Sequence, residues 1–488
     1  MKSNNLIAIY DFEFFPYALG DVLTWNVRTA MRCEETGKSS VDVYICLDKE
    51  HPASIYQRGL INPDNFELFF NELYGAFGTN PRLGNIYIFR QRDAMLETLE
   101  EIAAKADEHN LEAINDYLAM LKDKVSDGLL RKAYNIIEQK IRRNALMKKI
   151  IQRVVPEQIQ KTVGNSLSDE KRLNDYFIKY VYSHESINQF AAQKGYIPFL
   201  QPSLGCGPDI DEVIARQFKG KKIVPFHLRL RRLDVGYGGD HTYTRDSDFL
   251  EWYDFLREAG TKHPEVQFVV LGRLQEKPLE ILRLPNVTSL RIYGMGLGHE
   301  LTLMLKSDLF IGTSSGFAAL ANFSAIPYFI TKMNPGSCHA YAIPEGAEKL
   351  PFANENQKLV YEKETSKLLM TLLEAGLELK ETVPSAENTS ISQEINIENW
   401  LKLHTNPFHS SRTTSRFYKD EKYRNEETAY LLLPYLEKAR EAVENNEPET
   451  AQAILLKLKN NFSDLCNRLP EYLSLEKRIM QKAEEAFE

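Results

Sequence analysis

Residues 5–48 alternate between two hydrophobic rhythms. LIAIYDF and VDVYICL are short continuous apolar runs, while DVLTWNVRTAMRCEETG between them repeats its apolar positions at helical spacing. Apolar runs of that length bounded by turn residues read as buried strands, so the stretch predicts a βαβ unit of an open parallel sheet. NIYIFR at 85–90 adds a strand. From 93 to 193 the pattern becomes long, charged and amphipathic, which predicts a helical insertion. GYIPFLQPSLGCGPD at 195–209 joins a short apolar strand to a Pro/Gly cluster of hinge composition.

A second alternation follows: KKIVPFHLRL, VQFVVLG, VTSLRI, LFIGT and IPYFIT as strands, with helices at DFLEWYDFLREAGTKH, GHELTLMLKSD and SSGFAALANFS. The order predicts two Rossmann-like α/β domains, at 1–200 and 201–384, followed by a polar linker around 385–400 and a helical region to 488. EKAREAVENNEPETAQAILLKLKNNF resembles one helical hairpin of a repeat, without a second copy.

Within IVPFHLRLRRLD, at 223–234, Val224, Phe226, Leu228 and Leu230 share one strand face, and His227, Arg229 and Arg231 share the other. As the first strand of its domain it is expected to be central, where a row of cations needs an anion. The solvated alternative is an edge strand with ion pairs to Asp234, Asp240 and Asp248.

Composition narrows the choice of anion. The chain has 488 residues, 43% hydrophobic and 26% charged, with net charge -8. That balance argues against a general nucleic-acid coat and for a local basic pocket taking a small anion. The five cysteines are scattered and form no Cys-x-x-Cys pair, which suggests neither a disulfide framework nor zinc and fits a reducing compartment. MKSNNLIAIYDFEFF carries Asp11 and Glu13, unlike a signal peptide, and no uninterrupted apolar stretch is long enough to span a bilayer. A cytoplasmic protein is expected.

Four loops carry candidate chemistry. In YALGDVLTW, Gly20 permits a close backbone approach and Asp21 opens a helix, either as a cap or as a carboxylate at the sheet's carboxyl edge, poised to take a proton. In SDLFIGTSSGFAAL, Thr313, Ser314, Ser315 and Gly316 present small hydroxyls and bare backbone at a helix start, which serves either as a simple cap or as an anion cradle. After the arginine strand, a glycine-rich loop leads to Tyr243 and Arg245, a grip for a diphosphate because guanidinium matches phosphate bidentately. In YGMGLGHELTLMLKSD, Gly294 and Glu300 can touch a ligand, although Glu300 in a first helical turn also simply favours the helix dipole. Phe12, Phe14, Phe15, Tyr17 and Trp25 read as packing residues. The scattered histidines lack metal-ligand spacing, and no HExxH, Walker or GxSxG sequence is present, so no metal is expected.

The two-domain layout, hinge and loops resemble glycosyltransferases of the GT-B fold over about 1–90 and 195–370. LGDVLTW resembles the N-terminal loop of lipopolysaccharide heptosyltransferases, which implies that Asp21 is the catalytic base. FHLRLRRLD resembles the His-x-Arg-Arg-type motif of α-1,6-fucosyltransferases, with Leu230 inserted. That likeness implies diphosphate contacts for His227, Arg229 and Arg231. YTRDSDF with SDLFIGTSSGFAAL is similar to bacterial surface-polysaccharide glycosyltransferases.

The expected function is therefore sugar transfer from a nucleotide-sugar donor to a glycan, lipid-linked or protein acceptor. It needs no metal or other cofactor, and the insertion is available for acceptor choice or peripheral membrane contact. The same architecture also hosts sugar-nucleotide epimerases and hydrolases, and a non-catalytic scaffold is a further alternative.

Overall fold

The computed structural model describes residues 4–125 apart from 55, 56, 58 and 59; 184–230; 246–379 apart from 274–276; and 432–485 apart from 433, 434, 437, 446 and 468. Arg231, Tyr243 and Arg245 lie outside the described residues, as do most of the predicted insertion and the 385–400 linker.

The N-terminal half contains a parallel three-stranded sheet in the order β1 (Asn5–Asp11), β2 (Ser40–Cys46), β3 (Leu83–Phe89). β1 and β2 are buried beyond their first residues, as parallel strands covered on both faces must be, whereas β3 is the half-exposed edge. Helices α1 (Leu19–Glu35) and α2 (Phe66–Phe77) alternate with the strands, and α3 (Arg92–Ala103), α4 (Glu108–Val125) and α5 (His184–Lys194) form the described part of the helical insertion.

In the C-terminal half, α6 (Gly207–Gln217) leads to a six-stranded, all-parallel sheet. Its strands are β4 (Lys222–His227), β5 (Val266–Val270), β6 (Val287–Thr288), β7 (Phe310–Thr313), β8 (Tyr328–Thr331) and β9 (Gln357–Leu359), in the order β6-β5-β4-β7-β8-β9. β4 is central, and the chain runs outward from it first on one side and then on the other. The crevice at the carboxyl ends of β4 and β7 is thus the topological switch point, where open α/β sheets take their ligands. Helices α7 (Phe249–Lys262), α8 (Leu279–Leu282), α9 (Leu297–Leu305), α10 (Gly316–Asn322), α11 (Pro335–Ala340) and α12 (Ser366–Leu377) connect and cover these strands.

Three predicted strands change. Residues 195–200 form no strand; Ile197 and Leu200 are buried, and the Leu200 N–H donates to the Phe323 carbonyl at 2.9 Å. VTSLRI keeps only Val287–Thr288, because Ser289 caps a 3₁₀ turn at Leu290–Tyr293. The arginine strand stops at His227, yet its alternation persists: Val224, Phe226 and Leu228 enter one core, and Leu230 packs against it.

The halves are not separated by a layer of side chains. One hydrophobic cluster runs from β1, α1 and β2 through Leu297, Leu301, Phe310 and Phe317 of the C-terminal half. At two crossings the contact is backbone to backbone. A Cβ on Gly75 of α2 would lie 2.5 Å from the Gly298 nitrogen of α9, and one on Gly316 of α10 would lie 3.1 Å from the Gly20 nitrogen of α1. Hinge residue Ser203 fills the first crossing, its hydroxyl donating to the Gly75 carbonyl at 2.7 Å and its N–H donating to the Thr302 hydroxyl at 3.0 Å.

The C-terminal helices α13 (Pro448–Cys466) and α14 (Pro470–Glu485) pair with each other and lie on α7. There Phe462 stacks on Phe249, and Lys457 bridges Glu251 at 2.8 Å and Asp254 at 3.0 Å. No described helix is long and apolar enough to cross a membrane.

Candidate functional site

The N-terminal wall of the site begins where β1 ends. Asp11 is fully buried; Arg92 contacts its carboxylate at 3.0–3.2 Å, and Tyr117 donates to it at 2.7 Å. The same guanidinium reaches Glu13 at 2.6 Å and Asp48 at 3.2 Å. This network fixes the EFFPYA loop, which is also held by Tyr10 Oη donating to the Pro16 carbonyl at 2.9 Å. The aromatic residues of the loop pack as expected: Tyr10 is ringed by Phe12, Phe15, Trp25 and Phe77 at 5.0–5.3 Å, and Tyr17 stacks on Phe12 at 3.9 Å.

The anchored loop delivers Asp21 into the first turn of α1. Ala18, not Asp21, occupies the cap position, and no side chain caps the helix, so the capping role open to Asp21 is not the one it plays. Burial pushes its carboxyl up to about 7, with its own backbone N–H pulling the other way. A carboxylate titrating near neutrality is suited to accept a proton.

Gly20 and Gly316 bring that turn against the start of α10, where the predicted hydroxyls have separate fates. Ser315 is the cap of α10 and accepts from the Ala318 N–H. Ser314 is buried, with its hydroxyl 3.0 Å from that of Tyr341. Thr313 pairs with Thr331 across β7 and β8, and shares the face of Ile311, whereas His227 pairs with Gly312 on the opposite face. Strand alternation therefore separates Thr313 from His227, contrary to a shared cradle. The Thr313 hydroxyl is buried without a hydrogen-bond partner among the described residues.

His227 closes the floor. Its ring lies 4.9 Å from that of Phe317, the second residue of α10. Burial, with help from Lys277 and Arg229, holds its basicity well below the ordinary histidine range, so it is a neutral hydrogen-bonding group and not a cation. Arg229 is half-buried and faces Asp246 at 3.4 Å; its backbone exchanges hydrogen bonds with Ser247 at 2.8 and 3.0 Å. Asp246 is thus one partner of Arg229, while Asp234 and Asp240 of the edge-strand alternative lie outside the described residues.

Gly294 and Glu300 have structural duties. Gly294 ends the 3₁₀ turn at φ +77°, a left-handed conformation that favours glycine. Glu300 is fully buried and takes the Gly272 N–H at 3.0 Å and Arg291 at 2.9 Å. Arg291 also reaches Glu72 of α2 at 3.0 Å, so Glu300 supports the turn after β5 and ties it to the N-terminal half.

That turn holds what the sequence reading missed. Lys277 is buried, and a Cβ on Gly272 would meet its Nζ at 2.9 Å and His227 Cδ2 at 3.7 Å. No spacing in LGRLQEKP marks it; only the register of β5 beside β4 does. The Arg92 network went unseen for the same reason. Among the described residues, no three His, Cys, Asp or Glu side chains are grouped to hold a metal ion.

No protein-family profile matches the chain, and no curated protein matches it. Solved structures do. The ADP-heptose LPS heptosyltransferase II of E. coli aligns at 10% identity and a TM-score of 0.39, over 76% of this chain and 98% of that one. A glycosyltransferase family 9 protein of Veillonella parvula gives 10% and 0.37, over 77% and 92%. A Listeria monocytogenes protein provisionally named as a UDP-N-acetylglucosamine 2-epimerase gives 8% and 0.34, over 77% and 88%. At these scores the likeness carries no argument for activity.

Proposed function

We propose that this protein is a metal-independent glycosyltransferase that moves a sugar from a nucleotide-sugar donor to a hydroxyl of a glycan, lipid-linked or protein acceptor. One observation carries the reading. Gly20, the residue before Asp21 in the N-terminal half, abuts Gly316, and the next residue, Phe317, lies against His227 at the switch point of a six-stranded parallel sheet. The turn that carries a proton acceptor and the carboxyl edge where open α/β sheets take their ligands thus meet.

In this reading Asp21 takes the acceptor's hydroxyl proton as that oxygen attacks the anomeric carbon. The bond from that carbon to the donor's diphosphate breaks, and the leaving group departs with the electron pair. Arg229 and the backbone amides around Ser315 and Gly316 face the charge that develops there, the task that a divalent cation performs in other transferases. Direct displacement inverts the anomeric centre. The reading puts the reaction in the cytoplasm, in surface-polysaccharide assembly, with a lipid-linked acceptor met at the inner face of the membrane.

A thermal-shift panel of UDP, GDP, ADP, CMP and their sugars tests it. One diphosphate series should stabilise the protein by mass action. No shift with any member favours a scaffold. Turnover of the bound sugar nucleotide without an acceptor favours an epimerase or hydrolase.

A further inference from the structure

We infer that the two halves of this protein move as one rigid body, so that the crevice at the switch point is preformed and takes its ligand without the halves swinging apart. The segment that connects them is the first support. Its residues hydrogen-bond to the two halves in turn: the Leu200 N–H donates to the Phe323 carbonyl at 2.9 Å, that of Gln201 to the Thr79 carbonyl at 2.9 Å, that of Ser203 to the Thr302 hydroxyl at 3.0 Å, and that of Leu204 to the Gly78 carbonyl at 3.3 Å. The Ser203 hydroxyl adds the Gly75 carbonyl at 2.7 Å. A hinge absorbs motion in the φ and ψ of a few residues. Here such a change breaks a contact with one half or the other, although the Pro/Gly composition of the segment is that of a hinge. Gly195 and Gly205, left-handed at φ +78° and +80°, flank the stitched residues in open space. Rotation at either one leaves a stitched residue still tied to the half that would have to move.

The rest of the contact between the halves points the same way. Relative motion is the ordinary expectation for domains that meet through a modest, polar interface, and it fails where the interface is large and hydrophobic. Here one buried hydrophobic cluster passes from β1, α1 and β2 into α9 and α10. Shear motions slide packed helices by small readjustments of their side chains, and the crossing of Gly75 with Gly298 is backbone on backbone, with no side chain to readjust. At the second crossing a Cβ on Gly316 would meet Leu19 Cβ at 2.9 Å. Polar ties lie to either side. Glu72 of α2 takes Arg291 at 3.0 Å and faces Arg273 at 4.0 Å, while the Asn188 amide of α5 donates to the Tyr341 and Ala342 carbonyls at 3.1 and 3.0 Å. Opening the crevice would part all of these together.

Two measurements on the full chain test the inference. In native-state hydrogen exchange the amides of Leu200, Gln201, Ser203 and Leu204 should be protected as strongly as those of β1 and β4 and should open only with global unfolding, whereas the amides of a working hinge exchange through local opening. Nitroxides carried on unnatural residues at Glu97 of α3 and Ala375 of α12, both exposed, report the distance between the halves by pulsed electron resonance. They should give a single distance, as narrow as that of a reference pair at Glu212 of α6 and Ala375, which lie on opposite faces of the C-terminal sheet. Saturating ADP, UDP, GDP or CDP should not move it. A second distance in the free protein, a shift on adding any of these nucleotides, or exchange at 200–204 faster than in the two strands would overturn the inference. The free-protein measurements do not rest on the donor reading, so a failure to bind any nucleotide would count against that reading alone.

Discussion

A carboxyl held to about pH 7 in the first turn of a helix has two measurable consequences. As a base, Asp21 must be ionised, so kcat/KM should rise with pH through about 7 and level off above it. Asp21→Asn should lower turnover by about 10²–10⁴-fold while leaving nucleotide affinity nearly unchanged. The second consequence is for folding. An aspartate whose folded pKa is raised binds its proton more tightly when folded, so the stability it lends is complete below the unfolded value and is lost as pH rises to about 7. Urea melts at pH 4.5 and pH 8 should show Asp21→Asn stabilised relative to wild type at the higher pH, by a few kcal/mol at most. Burial raises the Glu300 carboxyl too, but Glu300 is tied into a buried network. Removing it leaves the Gly272 N–H and one arm of Arg291 without their carboxylate, so Glu300→Ala should cost about 3 kcal/mol in the same melts. Asp21 and Gly316 were legible in the sequence because glycine and acid, or glycine and hydroxyl, next to a helix start leave a local signature. Lys277 and Arg92 were not, because their neighbours come from strands and helices distant in the chain.

Elements were read best where the apolar period ran long. The α1 and α7 patterns and the order of the parallel strands carried through, and β4 is central as its position after the hinge implied. Short apolar runs were less faithful. VTSLRI and GYIPFL look like strands because burial alone makes a run apolar, and only ladder partners distinguish a strand from a packed turn. The helix crossings had no signature at all, since the partner is bare backbone. They make a sharp contrast among glycines. Gly37→Ala, at φ +64° with open space around it, should cost about 1 kcal/mol. Gly75→Ala would put a methyl 2.5 Å from backbone nitrogen, with no rotamer to relieve it, and should cost at least about 3 kcal/mol. Equal melting temperatures for the two variants would mean that the crossing is looser than its geometry.

At the scale of the molecule, Glu72 reaches from one half to the other. Through Arg291 and Glu300 it touches the turn that holds Lys277, and it faces Arg273 of that turn directly at 4.0 Å, where the Arg273 guanidinium also lies over Phe69 at 5.2 Å. Glu72→Gln should therefore weaken nucleoside diphosphate binding a few-fold in calorimetry with little effect on the melting temperature, because Glu72 is partly exposed and surface pairs contribute little to stability. An unchanged dissociation constant would show that the C-terminal half holds its ligand alone.

The paired glycines also bear on how this protein can be rebuilt. Parts that meet through side chains can be exchanged and repacked, since a new rotamer fills or clears the gap. Parts that meet through naked main chain, as at Gly75 with Gly298, have no such slack, and Gly316 has little more, with Leu19 Cβ at 2.9 Å and the Gly20 nitrogen at 3.1 Å from the place a Cβ would take. A chimera carrying a foreign N-terminal segment would have to arrive with unadorned backbone at both places, or its recipient sheet would find no seat for it.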